Sequence, residues 1–170
     1  MKKHTRKIFM VILFGVSLFV VGCSTSEDSN MKVIETVLTN TFTGPSGELA
    51  DIYKNAEEGN DTLDIKARQS YYQDHFKPYF TVDYYETVIK TGVVSVFHEK
   101  AYRNDVQMEV KEINIEQNEH ADTSYDFTVN VQIDQKEKDV TGRLGIHADG
   151  EIFKIMYHNG YDLVQTMKEE

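Results

Sequence analysis

The chain of 170 residues has a single cysteine and only two prolines. One thiol excludes an intramolecular disulfide framework and a cysteine-based zinc site. Two prolines exclude a proline-rich linker. Positive charge is also scarce where it would matter. Lys2, Lys3, Arg6 and Lys7 are four of the 18 basic residues, so residues 23–170 hold 14 basic against 28 acidic and carry −14. A nucleic-acid binder needs a basic face to displace counterions, so no nucleic-acid partner is expected. The histidines His75, His98, His120, His147 and His158 lack the two-, three- or four-residue spacing that puts two ligands on one metal, and no metal or other cofactor is expected. No nucleophile elbow, phosphate-binding glycine loop or dinucleotide fingerprint is present.

The four early basic residues precede an apolar stretch, Ile8 to Val21. As a helix it would span about 21 Å, short of a bilayer core of about 30 Å and right for the apolar part of a signal peptide. It ends in Val20-Val21-Gly22-Cys23. This resembles the lipobox of bacterial lipoproteins, although the class more often has Leu at the place of Val20 and Ala or Ser at that of Val21. The resemblance implies that residues 1–22 are a cleaved signal peptide and that Cys23 becomes a diacylglyceryl-cysteine at the mature N-terminus. Two acyl chains suffice for stable anchoring. The implied location is the cell membrane, lipid-anchored on the extracytoplasmic face. Residues 23–30 then read as the lipidated N-terminus and a polar tether, and residues 31–170 as one α+β domain.

Within that domain the apolar spacing is first helical. Met31, Ile34, Val37, Leu38 and Phe42 fall on one side, with Asn30 as the expected N-cap. Leu49, Ile52, Tyr53 and Ala56 mark a second helix. A third is expected from about Thr62 to Phe76, stopped by Pro78. Thr81 is an N-cap candidate for a fourth, and Gly92 suits its C-terminal cap. Residues 93–103 fit helix or strand. After Asn104 the period becomes two. Val106, Met108 and Val110 alternate on even positions, Ile113 and Ile115 on odd ones, so a bulge is expected at Lys111-Glu112. Tyr125, Phe127, Val129, Val131 and Ile133 alternate without a break. Asp149-Gly150 predicts a two-residue hairpin turn with positive φ at both residues, placing Ile146 beside Phe153, Leu144 beside Ile155 and Gly142 beside Tyr157.

Helices followed by a bent antiparallel meander with one apolar face predict an α+β fold in which N-terminal helices pack on a curved sheet. Element order, sheet pattern and length resemble the NTF2-like (cystatin-like) cone. Enzymes of that family hold an Asp, His or Tyr inside the cone as acid or base. Here the alternating apolar face offers neither Asp nor His over 125–133, which leaves His98 and Glu99 as weak catalytic candidates. The aromatic residues Tyr72, Phe76, Tyr79 and Phe80, with Tyr125 and Tyr157, are candidates for a pocket wall, since tyrosine offers an apolar body and a polar tip. Core packing is the competing reading of the same residues. The resulting expectation is a non-catalytic, lipid-anchored binding or assembly module with an envelope protein partner. The alternative is a small-ligand-binding protein or enzyme that uses the cone interior.

Overall fold

The structure is a computed structural model that describes residues 26–45, 47–57 and 61–167. The lipobox and signal segment, Cys23 included, lie outside the described residues. Among those described, the order is α1 (Ser26–Phe42), α2 (Glu48–Glu57), α3 (Asp61–Phe76), a 3₁₀ turn (Lys77–Tyr79), α4 (Val82–Thr91), α5 (Ser95–Arg103), β1 (Met108–Asn118), β2 (Ala121–Ile133), β3 (Lys136–Ile146), β4 (Ile152–Tyr157) and α6 (Gly160–Thr166). The strands form an antiparallel meander in the order β1-β2-β3-β4. The fold is α+β.

The expected tether and N-cap are corrected. The helix begins at Ser26, and Asn30 is a buried residue within it. Ser26-Glu27-Asp28 is a polar run in the sequence, and serine and acidic residue types mark a helix start as readily as a tether. Ile34, Val37, Leu38 and Phe42 of α1 are fully buried. Among the described residues, every member of the apolar core lies between Ile34 and Met167.

The α3–α4 connection follows its local chemistry. Pro78 sits in the 3₁₀ turn that follows α3. The Thr81 hydroxyl accepts the Tyr84 N–H, and Gly92 closes α4 at φ 67°. The ambiguous segment is helix from Ser95. The parity switch in β1 is a bulge, with the register shifting between Val110 and Glu112. Tyr125, Phe127, Val129, Val131 and Ile133 are all buried on the helix-facing side of β2.

The hairpin register is correct only in part. Gly142 pairs with Tyr157 and Leu144 with Ile155, but Ile146 pairs with Ile152 instead of Phe153, because the register shifts between Gly145 and Ile146. The connection is longer than two residues. The His147 N–H donates to the Glu151 carbonyl, and the Gly150 N–H to the His147 carbonyl. Gly150 has φ 90° and Asp149 is not in the positive-φ region. The cause lies in packing. A side chain on Gly145 would sit 2.4 Å from the Phe153 ring. Phe153 thus fills the space that the glycine leaves, and the strand bulges to let it.

The extended link after the 3₁₀ turn and the first turn of α4 cover the free edge of β4. Phe80 bridges Ile152 in parallel fashion. The Tyr84 hydroxyl accepts the Ile155 N–H at 2.8 Å and donates to the Ile155 carbonyl at 3.1 Å. An exposed strand edge is a template for unwanted pairing, and this cover removes part of it.

Candidate functional site

The space under the sheet is filled. Ile34, Val37, Leu38 and Phe42 of α1 and Phe97 of α5 are buried in one core with the inward residues of β2 and β3. Phe42, Phe97 and Phe127 surround the Tyr157 ring at centroid distances of 5.5, 5.2 and 5.9 Å. The Phe127 and Tyr157 rings meet across Gly142 of the intervening strand, where a side chain would collide with Phe127 and with the Met156 carbonyl. The Tyr157 hydroxyl is fully buried and has no hydrogen bond. The Thr41 hydroxyl lies alongside it but donates to the Val37 carbonyl. Burial raises the Tyr157 pKa, and Thr41 opposes that only in part.

Inside this interior one polar chain runs from α2 to α5. Tyr53 and Tyr72 share a hydroxyl–hydroxyl hydrogen bond of 3.1 Å, and the Tyr72 hydroxyl lies 3.0 Å from His98 Nδ1. His98 is wholly buried. Burial, with a small repulsion from His75 acting the same way, pushes its pKa down to about 4, against a weaker upward pull from the backbone of Asn40 and Thr43. Those backbone groups favour positive charge on the ring, yet none makes a hydrogen bond to Nε2. We assign the tautomer with Nδ1 accepting from Tyr72 and the proton on Nε2, the arrangement that this backbone field favours. Burial likewise raises the pKa of Tyr72 and of Tyr53. All three groups are therefore neutral at pH 7. Tyrosines held protonated and a histidine that resists protonation make a cross-link between helices, and they are poorly suited to moving protons.

The other candidates separate. Glu99 follows His98 in sequence but points outward and pairs with Arg103 at 2.7 Å, so the two form no dyad. Tyr72 borders a cavity of about 240 Å³ between α2, α3 and α5, whose rim includes Tyr53, Arg68 and Glu99. Phe76 and Phe80 are buried packing residues, Tyr79 is half-buried, and Tyr125 is buried near the start of β2. Among the described residues, no group of three or more His, Cys, Asp or Glu is placed to hold a metal ion. No helix among them is long and apolar enough to cross a membrane.

Sequence reasoning missed a further concavity. A groove of about 570 Å³ runs between α5, the end of β4 and α6. Its apolar wall is Val93, Val96, Phe97, Tyr157, Tyr161 and Val164. Among the described residues that line it, none is Asp or Glu, while Lys100 and His158 both contribute. Tyr157 alone of the expected pocket residues reaches this groove. The signal for its far wall was the helical spacing of Tyr161, Val164 and Met167 near the C-terminus. Comparison of the chain with protein-family models, with curated proteins and with solved structures gives no match.

Proposed function

We propose that this chain is a lipid-anchored extracytoplasmic binding module of a bacterial cell envelope, built on a variant of the NTF2-like cone, and that it is not an enzyme. The observation that carries the reading is the packed interior. An NTF2-like enzyme or carrier needs an open cone with a titratable group facing its substrate. In this chain the helix-facing side of β2 is apolar but for the buried Tyr125, and the buried histidine behind it is neutral and cross-linked to Tyr72. What remains for binding is the exterior. The anchor rests on the sequence Val20-Val21-Gly22-Cys23 and on the shortness of the preceding apolar stretch.

Labelling cells with a radioactive fatty acid tests the anchor. Wild-type protein should take up label and fractionate with membranes, and Cys23→Ala should do neither, because no other thiol exists in the chain. Label retained on Cys23→Ala protein would remove the anchor. Crosslinking on intact cells should capture an envelope protein. A turnover abolished by His98→Ala in a folded protein would replace the binding reading with catalysis in the interior.

A further inference from the structure

We propose that the groove between α5 and α6 binds a single-chain carboxylate amphiphile, its apolar chain along Val93, Val96, Phe97 and Val164 and its carboxylate at the Lys100 ammonium. The inference rests on the binding-module reading and names the class of ligand.

Size is the first argument. Pockets for small ligands run to roughly 300–1,000 Å³, and this groove falls within that range at about 570 Å³. A stable protein partner would need about 800 Å² of surface on each side. Only Val96 and Tyr161 in the groove wall are large apolar side chains with much exposure, at 36% and 70%. That is enough to cover one chain and too little for the apolar centre of a standard interface.

Charge is the second. The chain has a net charge of −10, yet the groove is lined by Lys100 and His158 and, among the described residues, by no carboxylate. His158 faces Asp126, whose carboxyl is held below its ordinary value chiefly by the Arg143 hydrogen bond and least by His158. Lys100 has no ion-pair partner among the described residues, since its neighbour Glu99 is taken by Arg103. An occupant that covers the groove strips water from the Lys100 ammonium. A neutral occupant would leave that charge unpaired at a cost, and a cationic one would repel it, whereas a carboxylate pairs it. The apolar wall in turn excludes a small hydrophilic anion as the preferred ligand.

The test uses the protein at pH 7.5 and below the micelle concentration of each probe. Binding of dodecanoate, dodecanol and dodecyltrimethylammonium is measured by calorimetry, with thermal unfolding in parallel. Dodecanoate should bind saturably at one site, and dodecanol about tenfold more weakly, the difference a charge-assisted contact supplies. The cation should bind least. Lys100→Gln should remove the preference for dodecanoate and leave dodecanol unchanged. Val96→Glu, at an exposed position, should abolish dodecanoate binding while the unfolding temperature holds. Equal affinity for acid and alcohol, no effect of either substitution, or no saturable binding would overturn the proposal. So would a dimer in sedimentation that Val96→Glu dissolves, which would assign the groove to a second copy. A crosslinked envelope partner without dodecanoate binding removes this ligand and keeps the module. Turnover that depends on His98 removes the module whatever the groove binds.

Discussion

The Tyr72 hydroxyl lies 3.0 Å from Nδ1 of His98, on two helices whose residues are 26 apart in sequence. The pair makes the fold sensitive to acid. In the folded protein His98 takes up a proton only near pH 4, against an ordinary value of 6.5. The folded value is depressed, so between those two pH values the unfolded chain binds the proton and the folded chain does not. Stability is therefore full above pH 6.5 and falls as the pH drops toward 4, by about 3 kcal/mol from this residue. Thermal unfolding measured from pH 7.5 to 4.5 should show the decline. His98→Gln keeps an acceptor for Tyr72 and cannot titrate, so it should flatten the curve between pH 6.5 and 5. An unchanged slope in that variant would show that His98 is not the cause.

Tyr157 and Tyr72 should respond oppositely to loss of their hydroxyls. The Tyr157 hydroxyl is buried without a hydrogen bond, so Tyr157→Phe removes a desolvated polar group and should leave stability unchanged or raise it by up to about 1 kcal/mol. Tyr72→Phe leaves His98 Nδ1 without its partner and should cost about 1–3 kcal/mol. Urea unfolding of both variants gives the comparison. Equal losses would mean that Tyr157 has a partner after all.

How far the sequence could be read depended on whether the signal was local. The bulge in β1 was legible because Val110 and Ile113 lie on positions of opposite parity, which a regular strand cannot bury on one face. Thr81 and Gly92 were legible because capping is decided within one turn. The register slip at Gly145 was not, because it depends on the Phe153 ring filling space on a neighbouring strand. The early start of α1 was hidden by residues that suit a tether and a first helical turn alike. At the site, His98 was visible as a titratable residue, but its neutrality follows from burial beside Tyr72, a contact between distant segments. The groove was missed because its far wall is α6, a seven-residue helix near the C-terminus with only two turns of periodicity.

The glycines of the last hairpin should rank by what surrounds them. A methyl group on Gly142 would stand 2.3 Å from the Met156 carbonyl oxygen and 2.3 Å from the Phe127 ring. The carbonyl belongs to the backbone and cannot turn away, so Gly142→Ala should cost about 3 kcal/mol, the upper end of overpacking. A Cβ on Gly150 would meet Asn30 and Val33 only at 3.9 Å, an ordinary contact, but φ is 90° there, so Gly150→Val should cost about 1–2 kcal/mol, chiefly through strain. Denaturant midpoints would show the order, and a milder effect at Gly142 would mean that β3 and β4 can separate there.

Tyr84 closes two backbone groups of the β4 edge with one hydroxyl. Tyr84→Phe should speed hydrogen exchange at the Ile155 amide more than at any other β4 amide, and cost about 1–2 kcal/mol of stability. The exposed edge should also raise the tendency to aggregate at high concentration. Exchange at Ile155 equal to wild type would show that the strand pairs elsewhere.

The start of α1 fixes which end of the domain an acylated Cys23 would draw toward the membrane. Ser26 follows Cys23 by three positions, a reach of at most about 11 Å. The first turns of α1 lie beside the β3–β4 turn, since the side-chain direction of Gly150 points 3.9 Å from both Asn30 and Val33. Phe42, at the other end of α1, touches Phe97 and Tyr157 of the groove wall. The 17-residue helix separates those ends by about 25 Å. The turn should therefore face the lipid and the groove should face away. The chain has no tryptophan, so a single introduced one reports its own position. Lipidated Asp149→Trp protein in neutral vesicles should be quenched by brominated lipid, and Tyr161→Trp protein much less. Neutral lipid is specified because Asp149 and Glu151 would be repelled by an anionic surface and obscure the comparison. Stronger quenching at Tyr161 than at Asp149 would invert the orientation and place the groove at the bilayer.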